Sequence, residues 1–371
     1  MYFLELGGED DAFAAREAAS AASDVRRIAP GLAVARGIKP KRVRGLAYTH
    51  RASELLGRTG TDLASARALL EAAVLERDPS ETTVAVRATD VHGATGIDTA
   101  QTERELGQVL VDRGFGVDLD DPDRVLRAVF SAGSTATDEA TTTQSEGVGR
   151  SEDNNGDTNT DTGDGVCALG WLAAESIRDF GTRAPTDKPF FQPGSMDPLL
   201  ARAVANIAGA RLGRTLLDPM CGTGGVLVEA GLVGADVIGT DAQAKMVEGA
   251  QKNLSHFLDR DEPSPTGVER GVWHVGRGDG TRLPLADDAV DGVVFDAPYG
   301  RQSKIDTHRL EDLVAGALSE ARRVASRAVV IADRSWEREA SEAGWELEST
   351  FERRVHRSLT RYVLILSDDS K

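Results

Sequence analysis

A glycine-rich segment in the second half of the chain joins an apolar strand pattern to a helical one. Residues 216–225 read LLDPMCGTGG, so an acid at the predicted strand end is followed by three glycines. Glycines let a backbone turn sharply and let a ligand approach the amides at a helix start. Asp218 is placed to accept hydrogen bonds from such a ligand. We therefore predict a ligand-binding loop with these contacts: Asp218, Cys221, Gly222, Thr223 and Gly224.

Two further acids lie at the ends of the next two predicted strands. Asp241 comes 17 residues after Gly224, where a doubly wound fold places the acid that binds ribose hydroxyls. Asp279, followed by Gly280, is placed to accept a hydrogen bond from an adenine amine. A tight turn without a ligand would explain the glycines, but it would not explain three acids at successive strand ends. The G-T-G-G spacing also differs from G-x-G-x-x-G, so a dinucleotide is a weaker alternative.

A second chemically distinctive segment ends the fourth predicted strand. Residues 295–300 read FDAPYG and resemble the signature of the amino-methyltransferases, in which Asp or Asn is followed by two prolines and an aromatic residue. The resemblance implies S-adenosylmethionine as the cofactor and an exocyclic amino nitrogen as the methyl acceptor. It places the catalytic residues at Asp296, Ala297, Pro298 and Tyr299. Ala297 stands where the family has proline, which keeps the main-chain carbonyl but puts the rigidity of the loop in question.

These residue types suit the chemistry of a weakly nucleophilic amine. The lone pair of an exocyclic amine is delocalised into the base, and two acceptors on its N–H bonds would return electron density to the nitrogen. The Asp296 carboxylate and the carbonyl of residue 297 are such acceptors, and they would also stabilise the positive charge that develops during attack. Tyr299 offers a flat face for stacking the base near the sulfonium. Tight alignment would supply much of the acceleration.

Alternating strand and helix patterns position these residues. From about Lys188 onward the alternation is typical of a doubly wound parallel sheet. Two late strand patterns near residues 348–355 and 361–366 are consistent with a hairpin that completes the sheet. We therefore predict an α/β, Rossmann-like domain over residues 181–371.

The first half of the chain has smaller and more mixed elements. Residues 11–22 and 63–76 have helical patterns, residues 82–87 alternate like a half-buried strand, and residues 102–110 have helical spacing. Residues 131–165 contain no Ile, Leu, Met or aromatic residue and are rich in acids. Such a segment cannot bury enough apolar surface to fold, so we predict a disordered acidic insertion.

The charge of the chain is strongly acidic, with a formal net charge of -17. This value argues at first against a polyanionic partner. The acids are spread along most of the chain, however, and the 43 basic residues are overwhelmingly arginine. That composition is typical of proteins from a salt-rich cytoplasm, where self-repulsion is screened. We infer a halophilic source, and the net charge then says little about nucleic acid.

Composition also limits the compartment and the metal content. No apolar run approaches the roughly 18 residues of a membrane span, and the N-terminus lacks an export-signal pattern. The two cysteines, Cys167 and Cys221, are too few for a disulfide framework or a zinc site. Cys221 has no histidine placed by the sequence to activate it as a nucleophile. We expect a cytoplasmic protein without a resident metal.

Several segments together resemble the archaeal tRNA (guanine-N2)-methyltransferases that act on the guanosine at position 10 of tRNA. Residues 189–196, PFFQPGSM, are similar to the family's segment ahead of the cofactor loop, and they make Ser195 a cofactor-binding candidate. Residues 218–225 and 296–300 match the cofactor and catalytic motifs. Residues 355–361 resemble the closing segment, and residues 83–130 look like a THUMP RNA-binding domain.

The resemblance implies a small α+β domain at residues 1–50, a THUMP domain at 51–180 and a methyltransferase domain at 181–371. It also implies transfer of one and then a second methyl group to guanine N2. The THUMP side would hold the acceptor end of tRNA, and the target base would be flipped into the pocket. A small zinc-binding activator subunit is a candidate partner. Candidates for RNA contact are Lys39, Lys41, Arg42, Arg44, Arg87, Arg357 and Arg361.

Two alternatives stay open on the sequence alone. The catalytic motif does not distinguish this guanosine from another tRNA or rRNA guanine, or from an adenine amine, because all of them need the same hydrogen-bond acceptors. A non-catalytic RNA-binding scaffold, with Ala297 as the mark of lost activity, is the alternative from another class. Retention of Asp296, Tyr299 and the three cofactor acids argues against it.

Overall fold

The chain forms two compact units, each with its own large sheet. The computed structural model describes residues 1–74, 82–133, 165–262, 264–298, 307–356 and 359–370. Unit 1 contains Met1–Ala15, Ala22–Ile38 and Arg51–Glu175, and unit 2 contains Arg16–Ala21, Lys39–His50 and Ser176–Lys371. The domain boundaries at residues 50 and 180 stay predictions. The acidic insertion expected at residues 131–165 falls largely on residues 134–164, which lie outside the described residues.

Short strands dominate the first part of the chain. Its helices and strands are β1 (Tyr2–Leu6), α1 (Asp11–Ala18), β2 (Ala22–Ser23), β3 (Arg26–Ala29), β4 (Leu32–Ala35), β5 (Gly37–Ile38), α2 (Pro40–Val43), β6 (Thr49–Thr59), α3 (Leu63–Ala72), β7 (Thr83–Asp90), α4 (Thr99–Asp112), β8 (Gly116–Val117), β9 (Arg124–Ser131) and β10 (Val166–Glu175). An eight-stranded sheet has the order β3-β4-β1-β6-β10-β9-β7-β8, and β2 pairs separately with β5.

The core of unit 1 lies between this sheet and the helices α3 and α4. Leu70 of α3 and Leu106 of α4 are fully buried with Leu126 of β9. Both helices begin at an aspartate that caps the first turn: Asp62 accepts a hydrogen bond from the Ser65 amide at 2.8 Å, and Asp98 accepts one from the Gln101 amide at 2.9 Å. The predicted strand at residues 82–87 and helix at 102–110 are therefore confirmed as β7 and α4.

Unit 2 contains a seven-stranded sheet with the order β13-β12-β11-β14-β15-β17-β16. Strands β11 to β15 are parallel, whereas β17 is antiparallel to both β15 and β16. The remaining elements are α5 (Pro198–Ile207), β11 (Thr215–Asp218), α6 (Gly225–Leu232), β12 (Asp236–Asp241), α7 (Ala244–Leu258), β13 (Trp273–Arg277), β14 (Gly292–Asp296), α8 (Thr307–Val324), β15 (Arg327–Ala332), α9 (Glu337–Glu342), β16 (Glu346–His356) and β17 (Leu359–Ser367).

The order of the strands reverses at β11, which lies between β12 and β14. The chain builds β12 and β13 on one side of β11 and then returns to build β14 and β15 on the other side. Doubly wound sheets bind their ligands outside the carboxyl ends of the strands at such a switch point. Asp218 ends β11 and Asp296 ends β14, so the topology brings both carboxylates to this crevice.

Apolar composition explains why the central strands are buried on both faces. Leu216 and Leu217 of β11 and residues 293–295 of β14 are at most 1% exposed. Continuous apolar strands of this kind are typical of parallel sheets covered by helices on each side. The predicted doubly wound fold and its closing hairpin, β16 and β17, are confirmed, but the sequence analysis did not assign α8 or α9. Among the described residues, no helix is long and apolar enough to cross a membrane.

A buried ionic cluster anchors α6, the helix that follows the glycine-rich loop. Glu229 has no exposed surface, and its carboxylate lies 2.7 Å from Arg183 Nε and 2.7 Å from an Arg202 guanidinium nitrogen. Arg183 also pairs with Asp179 at 2.7 Å. Burial alone would lower the pKa of Arg183, but Glu229 and Asp179 raise it above its ordinary value. The cluster therefore joins α6 to α5 and to the segment 179–183.

Nearby, Glu17 connects the N-terminal pieces of unit 2 to α5. Its fully buried carboxylate accepts hydrogen bonds from the Ala47 amide at 2.7 Å and the Tyr48 amide at 2.6 Å. The Asn206 side-chain amide donates to the same carboxylate at 2.7 Å and to the Gly45 carbonyl at 3.0 Å. Burial raises the pKa of Glu17 despite these bonds. Segments far apart in sequence thus share one polar network.

We expect Glu229→Gln to destabilise unit 2 by about 3–5 kcal/mol, because it removes the carboxylate that pairs with the buried Arg202 and leaves the buried Arg183 with Asp179 alone. Urea unfolding followed by tryptophan fluorescence measures this, since Trp273, Trp336 and Trp345 all lie in unit 2. The control is Glu348→Gln, whose partners Arg16 and Arg327 are 25% and 35% exposed and whose loss should cost at most about 1 kcal/mol. Equal effects of the two variants would contradict the assignment.

Candidate active site

A cavity of about 200 Å³ lies at the switch point, at the carboxyl ends of β11 and β14. It brings together Asp218, the glycine-rich loop and Asp296, which are separated by up to 78 residues in the sequence. Its lining residues are Gln192, Pro193, Gly194, Ser195, Met196, Asp218, Met220, Cys221, Gly222, Thr223, Gly225, Val226, Met246 and Asp296. The cofactor motif and the catalytic motif therefore meet in one site.

The glycine-rich loop has the backbone that the sequence predicts. Gly222 and Gly224 have φ angles of +51° and +74°, in the left-handed region that favours glycine. A Cβ on Gly224 would also lie 3.2 Å from the Ala250 side chain. Asp241 stabilises the loop directly, because its carboxylate accepts hydrogen bonds from the Gly222 amide at 3.0 Å and the Gln243 amide at 2.8 Å. Ribose binding by Asp241 stays a prediction.

Asp218 is the most deeply buried acid of the cavity, with 3% of its surface exposed. Its Oδ1 accepts a hydrogen bond from the Met220 amide at 3.0 Å. Burial raises the pKa of Asp218 well above its ordinary value, and the negative charges of Asp296 and Asp241 raise it further. The site therefore concentrates carboxylates that a cationic ligand would stabilise.

Cys221 lines the cavity, but its environment is that of an inert thiol. It is 6% exposed, and its amide donates to the Thr240 carbonyl at 2.9 Å. Burial raises the pKa of the Cys221 thiol well above its ordinary value, and Asp218 and Asp241 add to the effect. Because the thiolate is the nucleophilic form, this environment supports the interpretation of Cys221 as a small loop residue.

Asp279 and Gly280 lie outside the lining of the cavity. Asp279 Oδ1 accepts hydrogen bonds from the Thr281 amide at 2.9 Å and the Thr281 hydroxyl at 2.8 Å, and these bonds lower the pKa of Asp279. A Cβ on Gly280 would lie 3.2 Å from Met220 Cε, so Gly280 packs behind a residue that does line the cavity. The adenine contact predicted for Asp279 stays a prediction.

One wall of the cavity belongs to the segment 189–196, of which residues 192–196 form part of the lining. Asn253 of α7 is fully buried and holds this wall: its Oδ1 accepts from the Phe190 amide at 2.8 Å, and its Nδ2 donates to the Phe190 carbonyl at 2.9 Å. The same Nδ2 donates to the Thr223 carbonyl at 2.8 Å. The Ser195 and Thr223 hydroxyl oxygens lie 3.3 Å apart. Asn253 thus fixes the distance between the wall and the loop.

The catalytic motif begins at Asp296, the last residue of β14. The Ala297 amide donates to the Ile331 carbonyl of β15 at 2.7 Å, and Ala297 is 1% exposed. Asp296 Oδ2 lies 3.7 Å from a guanidinium nitrogen of Arg361. Pro298 is half-buried, whereas Tyr299 lies outside the described residues. The structure therefore brings Asp296 into the cavity lining, whereas Ala297 is buried in the adjacent core, and the roles of Ala297 and Tyr299 stay predictions.

The residues expected to contact RNA have different surroundings. Lys39 and Lys41 are exposed, and Arg44 Nε donates to the Thr266 carbonyl at 3.1 Å. Burial lowers the pKa of Arg42 to about 10, and the charge of Arg211 adds to this effect.

In unit 1, Arg87 donates to the Leu119 carbonyl at 2.6 Å. Arg361 is only 4% exposed, and Arg357 lies outside the described residues. Among the candidates that the structure describes, only the lysines have widely accessible charges, and RNA contact by any of the candidates stays a prediction.

The chemistry of the lining residues fits S-adenosylmethionine. Carboxylates suit its ammonium and sulfonium charges, and Met220, Met246 and Val226 supply apolar surface. The start of α6 suits its carboxylate, because free helix amides favour an anion. Behind Gly225, the buried Lys188 ammonium has no hydrogen-bond partner among the described residues, and it lies 3.3 Å from the position of a Cβ on Gly225. Burial lowers the pKa of Lys188, and an anionic group bound at the helix start would favour its charged form.

The sheet order, the switch-point cavity and its acids define a methyltransferase, and residues 185–363 match the family model "RMKL-like, methyltransferase domain". The chain is 31% identical over 329 residues to the tRNA (guanine(10)-N2)-dimethyltransferase of Methanothermobacter thermautotrophicus, which covers 86% of this chain and 83% of that relative. The chain therefore belongs to the family of tRNA (guanine(10)-N2)-dimethyltransferases.

A further relative and a solved structure are also similar to this chain. The enzyme of the same name from Pyrococcus abyssi is 33% identical over 192 residues, covering 51% of this chain and 55% of that relative. Among solved structures, TrmN from Thermus thermophilus aligns over 99% of this chain and 100% of that chain, with a TM-score of 0.45 and 20% identity.

Three residues of the site were not identified from the sequence: Lys188, Asn253 and, as a partner of Asp296, Arg361. Asn253 lies on the helical pattern of residues 242–258 and reads as an ordinary polar position there. Its function depends on Phe190 and Thr223, which precede it by 63 and 30 residues. No local pattern reports a contact over such separations.

We expect cofactor binding to be coupled to ionisation of Asp218. Its pKa is raised in the cofactor-free protein, and a bound ammonium would lower it, so binding releases a proton at pH values between the two pKa values. Affinity for S-adenosylmethionine then increases as the pH rises through the free-state pKa. Calorimetric titrations in two buffers with different ionisation enthalpies measure the released protons.

The control for this titration is Asp279→Asn, because hydrogen bonds lower the pKa of Asp279 and it stays ionised. Asp218→Asn should abolish the part of the proton release that belongs to the protein, and Asp279→Asn should keep it. Ionisation of the cofactor's own amino group persists in both variants. Identical proton release by wild type and Asp218→Asn would refute the coupling.

We expect Asn253→Ala to weaken binding of S-adenosylmethionine by about 10- to 30-fold, because two carbonyls and one amide lose their partner. The rate at saturating cofactor should change by less than about threefold, since Asp296 is untouched. The matched control is Asn206→Ala, another buried asparagine with two carbonyl or carboxylate partners away from the cavity. It should lower stability and leave cofactor affinity intact. The reverse pattern would show that Asn253 is merely structural.

Proposed function

We propose that this protein transfers methyl groups from S-adenosylmethionine to the exocyclic N2 of the guanosine at position 10 of tRNA, first one and then a second, as a cytoplasmic enzyme. The observation that carries the proposal is the position of Asp296 in the lining of the same cavity as Asp218 and the glycine-rich loop. A hydrogen-bond acceptor for an amine therefore lies beside the proposed methyl donor. The choice of the guanosine at position 10 as the acceptor rests on the family to which the chain belongs.

Within this proposal, Asp296 and the Ala297 carbonyl accept hydrogen bonds from the two N–H groups of the guanine amine in the first transfer, and Asp296 accepts from the single N–H that remains in the second. S-adenosylmethionine supplies an electrophilic methyl group on a sulfonium. The Asp296 carboxylate orients the nitrogen, raises its electron density and stabilises the positive charge that develops on it. In this proposal the same carboxylate accepts the proton that the methylated nitrogen releases. Burial of the surrounding strands excludes water and strengthens these interactions.

The alanine of the motif is compatible with catalysis. A proline at position 297 would lack the N–H that donates to the Ile331 carbonyl at 2.7 Å. A proline ring would restrict the backbone at this position, and at Ala297 a hydrogen bond to the neighbouring strand restricts it instead. This hydrogen bond supports an unchanged backbone position for the motif. It therefore disfavours the alternative of a non-catalytic RNA-binding scaffold.

Recognition of the whole tRNA is the part of the proposal that extends beyond the cavity. Unit 1 supplies the region that we assign to a THUMP domain, and Lys39 and Lys41 are exposed cations that could contact phosphates. The target base would be flipped out of the folded tRNA and stacked on Tyr299. A small zinc-binding activator subunit is proposed as a partner. Co-purification from the native cells tests it, and full activity of the isolated chain would remove the need for it.

We expect the purified protein to form N2-methylguanosine and then N2,N2-dimethylguanosine at position 10 of an unmodified tRNA transcript, measured by mass spectrometry of nuclease fragments. Asp296→Ala should reduce the rate by at least about 100-fold, because the acceptor for the N–H is lost, while cofactor binding stays within about threefold. The control is Asp287→Ala, an acid that precedes β14 at the opposite edge and is 77% exposed.

The matched substrate is a tRNA with inosine at position 10, which lacks the exocyclic amine and should accept no methyl group there. Methylation of another guanine would move the acceptor to a different tRNA or rRNA site. If the methylated product is an adenosine, the acceptor is an adenine amine and not guanine N2. Equal activity of Asp296→Ala and wild type would refute the catalytic role, and binding of tRNA without transfer would favour the scaffold.

A further inference from the structure

Arg361 of β17 reaches the active site across the end of a neighbouring strand. In the sheet, β15 lies between β14 and β17. The pairing of β17 with β15 extends to Tyr362 opposite Ala332, at the carboxyl end of β15, and Arg361 is the next residue. It therefore lies at the same edge of the sheet as Asp296. An arginine is long enough to span the intervening strand.

One guanidinium nitrogen of Arg361 contacts two parts of the cavity lining. It lies 3.7 Å from Asp296 Oδ2 and donates to the Gly194 carbonyl at 3.2 Å. The side chains of Arg361 and Asp296 are 5% and 23% exposed, so solvent screens their attraction only weakly. Gly194 belongs to the wall of residues 189–196. Arg361 therefore connects the catalytic carboxylate with the cofactor wall.

Asp296 lies among acids in a partly buried cavity. Asp218 is buried, and Asp296 is close enough for its charge to affect the ionisation of Asp218. Two neighbouring carboxylates with restricted access to water favour the protonated form of one of them. A protonated Asp296 would lose the negative charge that stabilises a developing ammonium. A positive charge at Arg361 opposes that loss.

The separation of the pair also matters for catalysis. In unit 1, Arg127 binds Glu5 through two hydrogen bonds of 2.8 Å, a geometry that occupies both carboxylate oxygens. At 3.7 Å, Arg361 is beyond hydrogen-bond distance of Asp296 Oδ2. It therefore acts on the Asp296 carboxylate through its charge.

We propose that Arg361 is a positioning residue that keeps the Asp296 carboxylate ionised and oriented toward the acceptor amine, and that it ties this carboxylate to the cofactor wall at Gly194. The inference rests on the proposed function for the kinetic consequence. The ionisation of Asp296 in the free protein does not depend on that function.

The first test measures this ionisation directly. Protein labelled with [13Cγ]aspartate is titrated by NMR without cofactor or RNA, and the Asp296 resonance is assigned by its absence in Asp296→Asn. Arg361→Gln keeps a donor for Gly194 but removes the charge, so the Asp296 titration should move to higher pH by about one unit or more. Arg361→Lys keeps the charge and should titrate within about half a unit of wild type. An unchanged titration in Arg361→Gln would overturn the proposal.

The second test is the pH dependence of methyl transfer to the tRNA transcript. Arg361→Gln should move the acid limb of the kcat profile to higher pH by about one unit, which lowers kcat about tenfold on that limb, and the rate should be regained at higher pH, while Arg361→Lys rescues most of the rate. Affinity for S-adenosylhomocysteine should stay within about threefold. A merely structural residue would lower the rate equally at every pH, and that result would count against positioning.

A matched control is Arg322→Gln, which removes an arginine that pairs with Asp368 at 3.0 Å and lies away from the cavity lining. Its Asp296 titration and pH profile should match those of wild type. If Arg361→Gln does not fold, Arg361→Met provides the same loss of charge. A shifted titration together with no methylation by wild type would leave the positioning role intact and refute the proposed function.

Discussion

Helix α6 begins at the glycine-rich loop, and one turn further along it carries Glu229, whose carboxylate has no exposed surface. Two buried arginines, Arg183 and Arg202, bind this carboxylate at 2.7 Å each. Since a buried charge is tolerated only when it is paired, the helix has little freedom to shift or rotate without breaking the cluster. Because the glycine-rich loop leads directly into this helix, the cluster also restricts the position of the loop. The same arginines connect the helix with α5 and with the segment near Asp179. Buried charges therefore hold the helix that begins at the site.

The cavity in front of this anchor has the opposite electrostatic character. Asp218 and Asp296 line it, and Asp241 supports its loop. Acids in this number would repel one another in an empty site, and a ligand with a sulfonium and an ammonium relieves that repulsion. After transfer the sulfonium charge is gone, so the product fits the same acids less well than the cofactor does. Lys188 and the α6 amides place positive potential at one side of the site, where a carboxylate would be favoured.

Much of this arrangement could be predicted from the sequence, because it depends on local order. Asp218 and Asp296 each end an apolar strand, and parallel strands present their carboxyl ends at one edge. Asn253, Arg361 and Glu229 act through partners distant in sequence, and no local pattern reveals them. Helix α8 had a usable signal, since Val314, Ala317, Leu318 and Ala321 repeat at helical spacing and are fully buried. The short strands β1 and β4 are ambiguous, because brief apolar runs such as LAVA fit a strand or a buried helix equally well.

Ala297 shows that one residue of a sequence motif can change while the backbone conformation of the motif is kept. The side chain is 1% exposed within the core that contains Phe295 and Val330, so volume is the property that this position restricts. The backbone amide is used by the neighbouring strand, and the carbonyl does not depend on the side chain at all. Small residues in general satisfy both conditions, whereas larger ones would have to displace packed neighbours. A search for relatives that insists on two prolines would therefore overlook chains with an intact site, and one that asks for an acid, a small residue, proline and an aromatic residue at a strand end would retain them.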